Sequence, residues 1–455
     1  MTTPRSARAS AAIATIAIVL LGAACSEPLP KDAATTTAAT TTSRAGVPEP
    51  KAGDGSVVSR YAGSPWLMGK VPDTATAADP AKPAIKVGFL NIDSGPVAAT
   101  PELHQATDAA VSFINAELGG VHGRPIEIVF CETDLGVDKA QACARKMVEE
   151  HVVAVLDGLN LSAGVATKVL EENHIAWVGG IPLDPAEMTS PIAFQFSGGA
   201  PGAFVAFADH AAHDLHAKKV AVVYANAAQV STAAVDYGVK LLRDFGVDVT
   251  EIAFDMTTQD YASIVQRASE GSPDAVVVGA ADFACPKVMQ AMADLGLATT
   301  IYLVGSCADR KWIDQVGADK VSGMIFNIES RVERPGPYQA DIDIYRSVIE
   351  QYGKGVHAKG AATVAFRSAM NLYAVLDELG PDATSSEVID TFRAARKRAS
   401  FDGYPYTCDG KQIPALPSLC APQEVLVRVG PDAETFTEVS DGWIDVPKIV
   451  ASMGK

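Results

Sequence analysis

The sequence has no excess of basic residues: 37 Lys and Arg stand against 54 Asp and Glu, a formal charge of −17. A nucleic-acid binder would show a basic footprint, so that class is excluded. No apolar run reaches the roughly 18–20 residues needed to cross a bilayer. The G-x-x-x-x-G-K-[ST] phosphate loop, G-x-G-x-x-G, H-E-x-x-H and the G-x-S-x-G elbow are all missing. So are the D-x-[DN]-x-[DN]-G calcium loop and any CxxC or Cys/His cluster with zinc spacing, and neither a cofactor nor a metal is expected. What is present is ordinary globular material. At about 100–200 residues per domain, 455 residues allow two or three domains. With 48% apolar and 20% charged residues the chain can bury a large core.

The first 24 residues form an export signal. Arg5 and Arg8 are a basic start, and Ala9 to Ala24 is uncharged with Ile13, Ile16, Ile18, Val19, Leu20 and Leu21 at its centre. This stretch is too short for a membrane span and has a signal-peptide layout. Gly22, Ala23 and Ala24 precede Cys25 and resemble a bacterial lipobox, with the aliphatic residue displaced to Leu21. Acylation at Cys25 would anchor the protein to a membrane surface. A plain secretory signal is the alternative. Residues 25–84 are rich in Ala, Thr and Pro with only Tyr61 and Trp66 as aromatics, and such a segment cannot bury enough apolar surface to order itself. They are expected to form a disordered linker, with Tyr61 to Met68 able to dock on the body.

From residue 85 the chain alternates strands and helices. Strands are expected at Ile85–Ile92, Ile126–Cys131, Val152–Leu156 and Ile175–Gly179, then at Lys219–Ala225, Val247–Phe254, Asp274–Ala280, Thr300–Gly305 and Gly323–Ile328. Helical spacing lies between them, as in Pro101–Glu117, where Pro101 suits a first turn. Continuous apolar runs such as Val220–Val223 suit parallel strands covered on both faces. Two such series give an α/β protein of two doubly wound lobes. Ligands of such sheets bind at the carboxyl ends of strands. The loops of interest are therefore Asn91–Ala99, Asp157–Ser162, Gly180–Glu187, Tyr224–Ser231, Ala281–Lys287 and Ser306–Arg310.

Apart from Cys25, six cysteines fall in three local pairs. Six allow fifteen pairings, and clustering in an exported protein favours Cys131–Cys143, Cys285–Cys307 and Cys408–Cys420. His210, His213 and His216 lie three apart, so two could share a metal on a helix. No carboxylate or cysteine completes such a site, and a surface face near a helix end is favoured.

Residues 85–134 open with Ser94-Gly95-Pro96 after the first strand and continue FINAELGGVHGRPIEIV. This resembles the type I periplasmic binding proteins of the leucine/isoleucine/valine-binding family, with one extra residue near Leu118. The DPAEMTSP loop from Asp184 to Pro191 and FDGYPYTCDGK near the end add to the resemblance, which spans about residues 85–445. It implies two lobes joined by three crossovers, the first from 85–203 and 335–400, the second from 204–334 and 401–447. It further implies a ligand clamped between the lobes and delivered to an ABC permease. In amino-acid binders of the family, a loop after the third strand offers a serine and backbone amides to the ligand carboxylate; here it reads Gly158-Leu159-Asn160-Leu161-Ser162. The loop that usually carries Ala-x-Thr reads Pro182-Leu183-Asp184, the position of the second lobe's acid falls near Ser306-Cys307 with Asp309 the nearest replacement, and the tyrosine loop reads Ala281-Asp282-Phe283. These departures point away from an ordinary α-amino acid.

The expected site therefore comprises Ser94, Asn160, Leu161, Ser162 and Asp184 from the first lobe and Tyr224, Asp282 and Phe283 from the second. Each has a plainer alternative: Ser94 could only shape its turn, Tyr224 could end a core strand, and Asp184 could cap the next helix. Two carboxylates in the cleft suggest a cationic ligand or one rich in hydroxyls and amides. The function expected is that of a monomeric, lipid-anchored, extracytoplasmic solute-binding protein for ABC import, taking an amino acid or related small polar solute. A ligand-sensing module for a signalling partner is the alternative, and an enzyme is disfavoured by the missing motifs.

Overall fold

The computed structural model describes residues 55–63, 71–95, 99–280, 284–330, 339–356 and 360–453. The signal segment, Cys25, Asp282 and Phe283 lie outside the described residues. Five parallel strands make the first sheet: β1 (Ile85–Asn91), β2 (Ile126–Glu132), β3 (Ala154–Asp157), β4 (Ala176–Val178) and β5 (Ala193–Phe194), in the order β2-β1-β3-β4-β5. The second sheet contains β6 (Lys219–Ala225), β7 (Asp248–Phe254), β8 (Ala275–Gly279), β9 (Thr300–Leu303), β10 (Ile325–Ile328), β11 (Val425–Val429) and β12 (Phe436–Glu438). Its order is β12-β11-β10-β9-β8-β6-β7, with β11 antiparallel to its neighbours β10 and β12 and all other pairings parallel.

Helices cover both faces of each sheet, so strands are apolar on both sides. In β6, Ala221, Val223 and Ala225 enter one core, while Val220, Val222 and Tyr224 enter the core on the opposite face. The first lobe has one core, in which Phe89 and Trp177 are fully buried. The chain passes between lobes three times: after β5, after β10 and before β11.

Two boundaries differ from the sequence expectation. The second lobe begins at Gly199, because the Gly199–His213 helix buries Phe204 and Phe207 against the second sheet. The stretch expected to enter the second lobe at 401 stays largely with the first, since Phe401, Tyr406, Cys408, Cys420 and Ala421 pack in its core. The return falls at Pro422–Glu424.

The linker also docks earlier than expected. Ser56 caps a short helix, Val57–Tyr61, whose Val57 and Val58 are fully buried in the first-lobe core. The Val58 amide donates to Glu117 Oε2 at 2.7 Å, and Tyr61 Oη is 3.1 Å from Ser347 Oγ. Further on, Thr76 and Ala78 donate backbone hydrogen bonds to Glu117 and Asn115. The apolar pair Val57-Val58 inside a polar tract supplies the burial that the tract as a whole lacks. Among the described residues no helix is long and apolar enough to cross a membrane. All three expected disulfides are present, Cys131–Cys143, Cys285–Cys307 and Cys408–Cys420.

Candidate ligand cleft between the lobes

A cavity of about 310 Å³ lies between the lobes, at the carboxyl ends of the strands. That volume is at the lower end of the range of about 300–1,000 Å³ for small-molecule sites. The first lobe contributes Leu159, Leu161, Ile181 and Leu183. Val230, Met256 and Val304 face them from the second lobe. The crossing segments add Ser197 and Asn327 to Ser330.

Of the expected site residues, Leu161 and Asp184 line this cavity. Asn160 is fully buried behind the wall, where its Nδ2 donates to Asp157 Oδ1 at 3.3 Å. Ser162 precedes the Ala163–Glu172 helix, and its hydroxyl donates to the Leu135 carbonyl at 3.1 Å. Ser94 is exposed and donates to Glu132. The Tyr224 ring packs in the core on the face formed by the Gly199–His213 helix. Asp309, the nearest acid to the family position, caps the Arg310–Val316 helix by accepting from the Lys311 amide at 2.8 Å. The histidine trio does not converge: buried His210 bonds Tyr302 Oη at 2.8 Å, while exposed His213 pairs with Asp209. Among the described residues no group of three or more His, Cys, Asp or Glu could hold a metal.

The sequence model of the periplasmic binding protein family matches residues 84–412. The chain belongs to that family. It is thus a binding protein, extracytoplasmic in kind, and not an enzyme. No curated protein matches it in sequence. Among solved structures it resembles the leucine-binding protein LivK of Thermotoga maritima, at 16% identity and a TM-score of 0.64 over 78% of this chain and 98% of that one. It also resembles LivJ of Streptococcus pneumoniae in complex with isoleucine, at 16% identity and a TM-score of 0.63 over 78% of this chain and all of the other. A solute-binding protein of R. palustris in complex with 4-hydroxybenzoate gives 20% identity and a TM-score of 0.65 over 80% and 97%. At such identities the likeness bears on the fold.

The binding protein holds two buried ionic groupings around the cleft that the sequence did not point to. The first joins the crossing segments. Arg367, from the Ala361–Leu379 helix of the first lobe, donates through Nη2 to Glu329 Oε2 at 2.7 Å and through Nη1 to the Glu329 carbonyl. Ser197 and the Gly198 amide donate to the other carboxylate oxygen. Glu424, on the third crossing, accepts from Asn327 Nδ2 at 3.0 Å, and burial, with Glu329 nearby, holds its carboxyl well above the usual range. Glu329 follows the carboxyl end of β10, a strand whose trailing loop was not among those singled out; that strand end was the available signal. Arg367 lies in mid-helix and carried none.

The second grouping is Asp157 with Glu187, both fully buried behind the first-lobe wall. Burial pushes Asp157 up to about 7 and Glu187 well above its usual range, the latter helped by the neighbouring Asp157. Asp157 Oδ2 and Glu187 Oε1 have no other partner. Two ionised carboxylates cannot donate to one another and repel, so burying them side by side favours a protonated acid in the pair. Gly180, at φ +90°, permits the approach, since a Cβ there would stand 2.4 Å from Asp157 Oδ2. Glu187 Oε2 meanwhile accepts from the Leu183 and Asp184 amides at 2.8 and 2.7 Å, which fixes the loop that faces the cavity.

Among the described residues an ion pair also links the two lobes. Lys311 Nζ of the second lobe lies 3.0 Å from Glu102 Oε1 of the first. Both side chains are partly exposed, and such pairs contribute about 0.2–1 kcal/mol. Lys311→Gln is therefore expected to speed solute release by a fewfold, read by stopped-flow displacement. An unaltered release rate would show that the pair does not hold the lobes shut.

Proposed function

We propose that this protein captures a small solute by closing its two lobes over it and presents that solute to an ABC permease for import. The observation that carries this reading is the cavity walled on opposite sides by strand-end loops of both lobes. Hinge motion about the three crossings opens and shuts such a cavity. The family relationship supports transport, and the similar structures described with leucine, isoleucine and 4-hydroxybenzoate support a solute of modest size. The proposed site takes Leu161 and Asp184 from the expected set, with Ser197, Ser306, Asn327 and Ser330; Asp282 and Phe283 remain candidates from the second lobe.

We further propose export by the N-terminal signal, acylation at Cys25 and action as a monomer. Mass spectrometry of the natively purified protein should find a bound small molecule, and small-angle scattering should show a more extended particle once it is removed. A particle that neither carries a solute nor changes shape with any solute would overturn the proposal. Cys25→Ser should move the protein from the membrane fraction to the soluble one.

A further inference from the structure

Given the solute-binding reading above, the cleft itself indicates what kind of solute fits. Among the described lining residues only Asp184 and Glu329 bear charge. Glu329 is neutralised by Arg367 at 2.7 Å. Asp184 is engaged by helix ends. Its Oδ1 accepts from the Ala186 amide at 2.9 Å as the cap of the Pro185–Thr189 helix. Both its oxygens also face the first turn of the Ala163–Glu172 helix: a Cβ on Gly164 would stand 2.9 Å from Oδ1 and 3.0 Å from Oδ2. A carboxylate is favoured at such a helix start. The protein's own side chain thus occupies the place that would attract a ligand's negative charge.

A carboxylate entering this cleft would lose its water, meet no uncommitted cation among the described lining residues, and approach Asp184. An ammonium would find the one unpaired acid among the described lining residues already turned to backbone. Burying an ion without a partner is strongly unfavourable. The walls of Leu159, Leu161, Ile181 and Leu183 opposite Val230 and Met256 instead suit hydrocarbon. Two lining hydroxyls, Ser306 and Ser330, have no hydrogen-bond partner among the described residues. They follow the neighbouring parallel strands β9 and β10, so they lie on one side of the cavity. We propose that the cleft takes an uncharged, mainly apolar solute bearing one or two hydroxyl or carbonyl groups, oriented by Ser306 and Ser330, and that Asp184 excludes carboxylate-bearing solutes.

The test is a charge series on matched skeletons, phenylpropyl and isohexyl, titrated calorimetrically into the mature protein after removal of any bound solute. Each skeleton is offered as the alcohol, the carboxylate, the amine and the α-amino acid. The alcohols should bind at least tenfold more tightly than the other three. Ser306→Ala with Ser330→Ala should weaken the alcohols severalfold. Asp184→Asn keeps a capping side chain without the charge, and should narrow the alcohol-to-carboxylate ratio by about tenfold. Tighter binding of an amine, a carboxylate or an amino acid than of the alcohol overturns this inference and leaves the solute-binding reading intact. So does an Asp184→Asn ratio equal to the parent's. Binding of no member of either skeleton also overturns this inference, while the solute-binding reading is judged separately by the natively bound molecule and the change of shape on its removal.

Discussion

Glu187→Gln should become progressively more stable than the parent protein as pH rises from about 5 to about 9. In the unfolded chain both carboxyls titrate near 4, so above that pH the unfolded state holds no proton at these sites. The folded state holds on to protons there, because burial lifts Asp157 to about 7 and holds Glu187 well above its usual range. The folded protein therefore binds more protons through this window, and its stability falls as pH rises. The contribution of the pair is fully present below about pH 4 and is lost as pH passes 7, at about 1.4 kcal/mol per pH unit for each proton. Glutamine reproduces the protonated acid. Its oxygen keeps the bonds from the Leu183 and Asp184 amides, and its NH2 donates permanently toward Asp157. Urea unfolding of both proteins at several pH values measures the difference, expected to reach a few kcal/mol in favour of the variant. Parallel stability curves would show that the pair holds no such proton.

Arg367→Met should cost about 3–5 kcal/mol, since it leaves Glu329 buried without its counter-charge. The Arg367 side chain is 3% exposed and that of Glu329 10%, so solvent cannot substitute for the lost partner. Glu424, buried beside Glu329, already carries a carboxyl shifted upward and offers no relief. The double change Arg367→Met with Glu329→Gln should recover much of the loss, because the amide still accepts from Ser197 and Gly198 and no charge remains. Thermal denaturation separates the cases: a drop of several degrees for the single variant and a smaller one for the double. A single variant as stable as the parent would mean that Glu329 is solvated or neutral.

The strands were legible because buried parallel strands are continuous apolar runs. The observed β1, β6 and β8 lie within or next to the stretches read from such runs. The short strands β5 and β12, of two and three residues, carry too little pattern to read. At the site, loops were placed correctly at strand ends, but side-chain direction was not legible. Leu161 and Asp184 reach the cavity, whereas Ser162, one residue from Leu161, turns to the Leu135 carbonyl. The plainer alternative for Asp184 is also realised, for it both caps a helix and lines the cleft. The Arg367–Glu329 pair depends on a helix and a crossing 38 residues apart in sequence, a distance over which no local pattern operates.

The Cys285–Cys307 bridge joins the start of the Cys285–Asp294 helix to the turn after β9, directly beside Ser306. A native bridge in an exported protein typically contributes about 2–4 kcal/mol and forms only in an oxidising compartment. One lip of the candidate cleft is thus stapled by a bond that only an oxidising compartment lets form. Protein accumulated in a reducing cytosol would present that lip on an unstapled segment, and solute affinities measured on it would describe a different molecule. For this binding protein the redox history of the preparation is itself a variable of every titration.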